Sequence, residues 1–330
     1  MTRSSLTAQV PTAPAVTNKI VIDSSVVVRI IKHSVEQYPA QATGQLLGFE
    51  DSETLSINNC FPLPNSANDN EGAGLRSKAI LKYQSDMITH LKEVNVDANS
   101  IGFYASANLG KFFSQNVLDN LLSYQIQNPE SVLLVHDVSR HLHSGLALHA
   151  YRLSPAYLAV RKEGKFSSAQ LTKHELSYHN IFQEIPIEIK NSHLVTLYLH
   201  SIQPQEEDYQ QLDISIDSYL EKNIETMFEA IDEFHYDQSN YNYYQRHLAR
   251  EKGKLQQWQM KRKSDNLTRQ ANGETPLSLD EGKNLFKLPE EPSRLDNLLI
   301  SGQIAQFCSQ MEEFGSTVGP KLFAVQKVLD

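Results

Sequence analysis

The sequence predicts an α/β domain, a mixed sheet packed by helices, followed by an all-helical region. Helical and strand periodicities interleave through the first 160 residues, whereas beyond Gln203 only the helical period survives. The length of 330 residues gives room for about two folded units.

Residues 1–18 are Ser, Thr, Ala and Pro without apolar period and read as a flexible tail. Structure is expected from Ile20. Asp23 or Ser24 can cap a helix that carries Val27, Ile30, Ile31, Ser34 and Val35 at helical spacing up to Pro39. Residues 44–50 and 54–64 are apolar or alternating runs around an acidic turn, the pattern of a strand hairpin. A polar loop at 65–74 precedes helical spacing over 76–94. Strands are expected at 99–106, 131–137 and 145–153, a helix at 114–127, and a further alternating strand at 185–190.

Leu212, Ile216, Leu220, Ile224, Met227, Ile231 and Phe234 then repeat every three or four residues, one apolar stripe on a helix. Residues 239–270 are Gln-, Tyr- and Arg-rich, so a helix there is mostly solvated or covered by a partner. A polar linker is expected at 270–292. The last helical pattern runs through Leu298, Ile304, Phe307, Met311 and Phe314, then through Leu322, Val325 and Leu329 after a break at Gly319–Pro320. A lone amphipathic helix cannot bury its stripe, so the two stripes pair with each other or with helices of other chains.

Composition narrows the class. Hydrophobic residues are 40% and charged residues 21%, with mean hydropathy −0.42, as in soluble proteins. No run approaches the roughly 18 apolar residues of a membrane span, and the first residues lack a secretory pattern, so a cytoplasmic protein without membrane contact is expected. Cys60 and Cys308 alone build neither a disulfide framework nor a cysteine zinc site. The net charge of −9 sits in the C-terminal third. Residues 206–237 hold 11 acids and one base, and residues 246–263 hold 7 bases and one acid. Such neighbouring blocks read first as solvated helical faces. The aromatic-basic stretch at 238–265 keeps direct RNA binding as an alternative, since its rings can stack on bases and its cations can pair phosphates.

The order helix, GQLLG strand, strand ending in CFPLP, helix, GFYAS strand and Ser-led helix resembles the MPN (JAMM) family of metalloprotease-type deubiquitinases and of proteasome-lid, signalosome and initiation-factor subunits. Further segments, among them VVVRIIKHS, ESVLLVHD, AYRLSP, EIPIEIKNSHL and GPKLF, extend the resemblance over residues 26–323, toward the subunits this family contributes to eukaryotic translation initiation factor three. It implies an MPN domain at 20–190 and C-terminal assembly helices at 191–330.

Active members of that family hold zinc with His-x-His and an Asp three residues after a Ser, and an upstream Glu activates the metal-bound water. Two imidazoles and a carboxylate leave a fourth zinc position for that water. Here Gln41 stands in place of the Glu, Ala105 and Ala107 in place of the histidines, and Val117 in place of the Asp, while Ser114 is retained. Alanine and valine supply no donor. A cleft packed shut, no cofactor and no catalysis are therefore expected. A relocated site at His136, Asp137, His141 and His143 is disfavoured because those side chains are expected to point outward from a turn. By resemblance the chain is a non-catalytic scaffold, assembling with an MPN partner and PCI-domain subunits of initiation factor three, and through them with the 40S ribosomal subunit and mRNA. The other alternative is a zinc-dependent isopeptidase with a divergent site.

Overall fold

In the computed structural model the described residues are 18–51, 54–64, 78–94, 96, 99–140, 146–202, 216–271, 278 and 288–329. The expected tail up to residue 17, the 65–74 loop, His141, His143, Leu212 and most of the expected 270–292 linker lie outside them, as do the side chains of Ile216 and Leu329.

Eight strands form one sheet: β1 (Lys19–Asp23), β2 (Thr43–Asp51), β3 (Thr54–Pro62), β4 (Ser100–Ala107), β5 (Val132–Asp137), β6 (Leu148–Leu153), β7 (Phe182–Ile185) and β8 (Ile187–Lys190). Their order is β7-β6-β5-β4-β2-β3-β1-β8. The pairs β1/β3, β1/β8 and β4/β5 are parallel and the others antiparallel, as expected of a mixed sheet. The helices are α1 (Ser24–Gln37), α2 (Lys78–Glu93), α3 (Gln115–Gln127), α4 (Pro155–Glu163), α5 (Ser168–Lys173), α6 (His193–Ser201), α7 (Ile216–Ala271) and α8 (Leu295–Leu329).

Successive residues of a strand face opposite ways, and here they feed two cores. Leu46, Tyr104 and Leu134 join Ile20, Ile22, Val26 and Ile30 under α1, whereas Leu47, Phe103 and Leu133 join Leu118, Leu121 and Tyr157 under α3 and α4. Asp23 caps α1 by accepting from the Ser25 N–H at 3.1 Å. Gly102, at φ +151, lets β4 approach β5 closely: a Cβ there would lie 2.0 Å from the Val132 carbonyl oxygen.

Several elements differ from the sequence reading. The strand β1 is too short to show a period, and its fully buried Ile20 and Ile22 reveal it only once paired between β3 and β8. The strand expected at 185–190 is divided at Pro186. Lacking an N–H, Pro186 cannot continue a ladder, but its carbonyl accepts from Ile20 N at 3.0 Å. The halves β7 and β8 then pair at opposite ends of the strand order. Because Pro186 alone joins these two end strands, the two ends of the strand order come together there.

Short helices α4, α5 and α6 carry no clear period in the sequence. The first has both terminal signals: the Ser154 hydroxyl accepts from the Tyr157 N–H at 3.1 Å, and Gly164 ends it at φ +77. Helix α7 runs unbroken through the stretch read as a separate polar segment and ends at Ala271, just inside the expected linker. Helix α8 continues through Pro320, where a break was expected. A proline forfeits one helical hydrogen bond, a loss the helix tolerates here because Ser316 and Pro320 are both exposed to solvent.

The C-terminal helices pack on each other and also on the sheet domain. Leu295 and Leu299 enter the core under α3 and α4. Arg294 N donates to the Phe166 carbonyl at 3.0 Å, and its guanidinium lies over the Tyr241 ring of α7 at 4.3 Å.

Candidate functional site

Strand β4 ends at Ala107, a loop runs from Asn108, and Ser114 opens α3. Ala105 and Ala107 lie on one face of β4, both buried, as residues two apart in a strand must. The Ser114 hydroxyl accepts from the Val117 N–H at 3.3 Å, so the retained serine is a helix cap here. Val117 is buried in the core. Ser106, on the other face, holds the entry to β2: its hydroxyl accepts from Ala42 N at 2.7 Å and its N–H donates to the Ala42 carbonyl at 2.8 Å. Gln41, next in line, is exposed at the mouth.

Between these elements lies an open cleft of about 470 Å³, lined by Gln41, Ala107, Phe112, Ser114 and, from α7, Thr226. The expectation that it is packed shut is thus corrected at Ala107, which lines the open cleft, whereas Ala105 is packed into the core behind it. A second cavity of about 400 Å³ shares Lys111, Phe113, Ser114 and Thr226 with it and is closed by Glu229, Glu233, Gln303 and Phe307.

The wall of the cleft is fixed by α8. Gln303 Oε1 accepts from the Phe113 N–H at 3.2 Å, and its Nε2 donates to the Gly110 carbonyl at 2.9 Å, so one side chain pins the loop after β4 at two points. Two turns further along, Gln310 Nε2 donates to Asp137 Oδ2 at 2.9 Å. The other carboxylate oxygen of Asp137 accepts from the Ser139 hydroxyl at 2.6 Å and the Ser139 N–H at 3.0 Å. The Ser139 hydroxyl in turn accepts from Leu109 N at 3.0 Å. Gly110, at φ +70, must be glycine: a Cβ would lie 2.3 Å from Gln310 Nε2. Arg140 and Glu313 close the contact with an ion pair.

His136 and Asp137 are buried rather than directed outward, because they belong to the end of β5 under α8 and not to the turn beyond it. Asp119 is held by Arg161 at 3.0 Å. Beneath the sheet, Gln84, Gln45 and Tyr124 form a buried network in which the Tyr124 hydroxyl donates to Gln45 Oε1 at 2.5 Å, and burial pushes the phenol up to about 12. His33 Nδ1 lies 2.9 Å from the Tyr104 hydroxyl, with burial lowering the imidazole's pKa.

The donor set does not fit a zinc ion. Ala105, Ala107 and Val117 supply no donor, Asp119 is paired with Arg161, and among the described residues no three His, Cys, Asp or Glu side chains come together. The α8 clamp escapes the sequence reading, which places the seam on Ile304, Phe307, Met311 and Phe314. The buried face is Leu295, Leu299, Gln303, Phe307, Gln310 and Phe314, with Ile304 and Met311 half-buried at its margin. Glutamines on an apolar stripe are the signal. Of the other stripe residues, Leu220, Ile224, Met227, Ile231 and Leu298 are half-buried and Leu322 is exposed.

The mixed sheet, with a cleft where β4 meets α3, defines an MPN-domain protein. Residues 15–130 match the JAB1/Mov34/MPN/PAD-1 ubiquitin protease family, and residues 143–329 match the C-terminal region of eIF3h. Proteins named as the eIF3h component of eukaryotic translation initiation factor 3 align over almost the full chain. The one from Yarrowia lipolytica is 47% identical, covering 94% of this chain and 98% of its own length. Those from Emericella nidulans and Aspergillus niger are each 40% identical, covering 92% of this chain and 94% of theirs. The chain belongs to the eIF3h family of eukaryotic translation initiation factor 3.

Proposed function

We propose that the chain is a non-catalytic scaffold subunit of a translation initiation factor three complex, with an MPN unit at about 20–190 and an assembly region at 191–330. The observation that supports the reading is Ala107 in the lining of an open cleft, with Ala105 buried on the same strand face behind it: neither side chain can ligate a metal. Catalysis absent, what selection on such a chain can act upon is surface. Helix α6 leaves Leu194, Leu197 and Tyr198 exposed, and the distal turns of α8 expose Leu322 and Phe323. These apolar faces suit an MPN partner and helices of PCI-domain subunits, through which the assembly reaches the 40S ribosome and mRNA. No helix of the described residues is long and apolar enough to cross a membrane, in keeping with work in the cytoplasm.

The test is co-purification of the tagged full chain from cells whose other initiation-factor-three subunits are quantified. Stoichiometric recovery of those subunits is expected, reduced several-fold by Leu322→Asp/Phe323→Asp in the same chain. Recovery of the tagged chain without them would overturn the reading.

A further inference from the structure

The cavity of about 400 Å³ between α7, α8 and the loop after β4 is apolar inside and acidic at its mouth. Its walls are Phe113 from the loop and Leu299, Ile300 and Phe307 from α8, all buried or half-buried. Glu229 and Glu233 of α7 and Asp296 of α8 also line it, and all three are exposed. The helical period sets this arrangement. Glu229 and Glu233 stand three and seven residues beyond Thr226, on one face of α7, and Leu299, Ile300 and Gln303 stand three, four and seven beyond Asp296 on α8. Like charges four apart on a helix repel, so Glu229 and Glu233 weaken α7 on their own. Among the described residues neither forms an ion pair, although Lys111 lines the same cavity.

A metal ion does not fit this mouth, because among the described residues no three His, Cys, Asp or Glu side chains come close enough together to hold one. Carboxylates spread around the rim of an apolar cavity instead match a cation on an aliphatic stem, whose methylenes pack on the walls while the charged head stays at the wet edge. Arginine and lysine are such cations, and arginine is among the residues that most often anchor protein interfaces in pockets. The volume is that of a ligand pocket, with room for the base and an apolar neighbour. We infer that this cavity receives a basic side chain, with an apolar residue beside it, from another subunit of the assembly. The inference rests on the scaffold reading above, since α7 and α8 are the helices that reading gives to assembly and the cavity lies between them. Insertion sets the positive head between Glu229 and Glu233 and converts their repulsion into a shared ion pair.

The test uses the full chain within the purified initiation-factor complex. Ile300, half-buried in the wall, is replaced by an aliphatic diazirine residue of similar size and the complex is irradiated. A cross-link to one segment of another subunit is expected, with an Arg or Lys within one helical turn of the linked position. Reversing that base to Glu is expected to reduce recovery of its subunit several-fold at low salt, and so is Glu229→Lys/Glu233→Lys in this chain. Combined, the two reversals are expected to restore most of the recovery, an outcome that a merely misfolded variant cannot give. Glu229→Gln/Glu233→Gln is expected to cause a smaller loss and to make recovery less sensitive to salt. A wild type that recovers no other subunit would overturn the scaffold reading and this inference with it. Where the wild type recovers the subunits, a cross-link confined to this chain, a linked segment without a base, unchanged recovery with Glu229→Lys/Glu233→Lys, or no rescue by the paired reversal would each overturn this inference alone.

Discussion

Gln303 shows how much one side chain decides here. Its amide makes two hydrogen bonds to backbone 190 and more residues away in sequence, and both partners lie in the loop that follows β4. Nothing in periodicity marks such a residue. A glutamine on an apolar stripe reads as a defect until the buried backbone groups it satisfies are known, whereas Ala105, Ala107 and Ser114 are legible at once because chemistry forbids or requires them. Arg152 is a second residue of this kind. It is buried, bonded to Glu130 at 3.0 Å, and burial is the first cause lowering its pKa. Replacing Glu130 by Gln leaves that guanidinium buried without its carboxylate, at an expected cost of about 3 kcal/mol. Urea denaturation should show the midpoint falling with an unchanged slope. Lys32→Ala, which removes an exposed pair with Glu36, should leave the midpoint where it is.

Elements are legible wherever period and length agree. The hairpin β2–β3, strands β4 and β5, and helices α1, α2 and α3 all fall within a few residues of their sequence limits. Short elements such as β1 and α5 carry too few residues to show a period, and the division of β7 from β8 depends on two pairings that only the folded sheet supplies. Helix α8 is visible in the sequence but turned by about one residue, because its anchoring glutamines count as polar. Its docking revises the expectation that the seam is far from the sheet domain. Phe307, 1% exposed, sits at the junction of α7, α8 and the loop after β4. Phe307→Asp should bury a carboxylate there and unseat α8 at a cost of about 3 to 5 kcal/mol. Hydrogen exchange should then accelerate at Gly110–Phe113, whose partner Gln303 is withdrawn, while β2, β3 and β4 stay protected. Equal acceleration throughout the sheet would mean that α8 is part of the domain's core rather than a brace on it.

At the scale of the molecule, a sheet whose two end strands are joined at Pro186 carries a cleft lined by Ala107 and Ser114, and the loop on its wall is pinned by helix α8. The class of fold and the loss of the ligands can be read from the sequence, because both are written in residue types. The openness of the cleft and its bracing by α8 cannot, because both depend on side chains brought together from opposite ends of the chain. The central claim is that this MPN domain holds rather than cuts. The most direct measurement is zinc content of the purified full-length chain together with cleavage of ubiquitin chains over several hours with added zinc. The account predicts substoichiometric zinc removed by mild chelation and no cleavage above buffer. One tightly held zinc per chain with cleavage abolished by a chelator would contradict it.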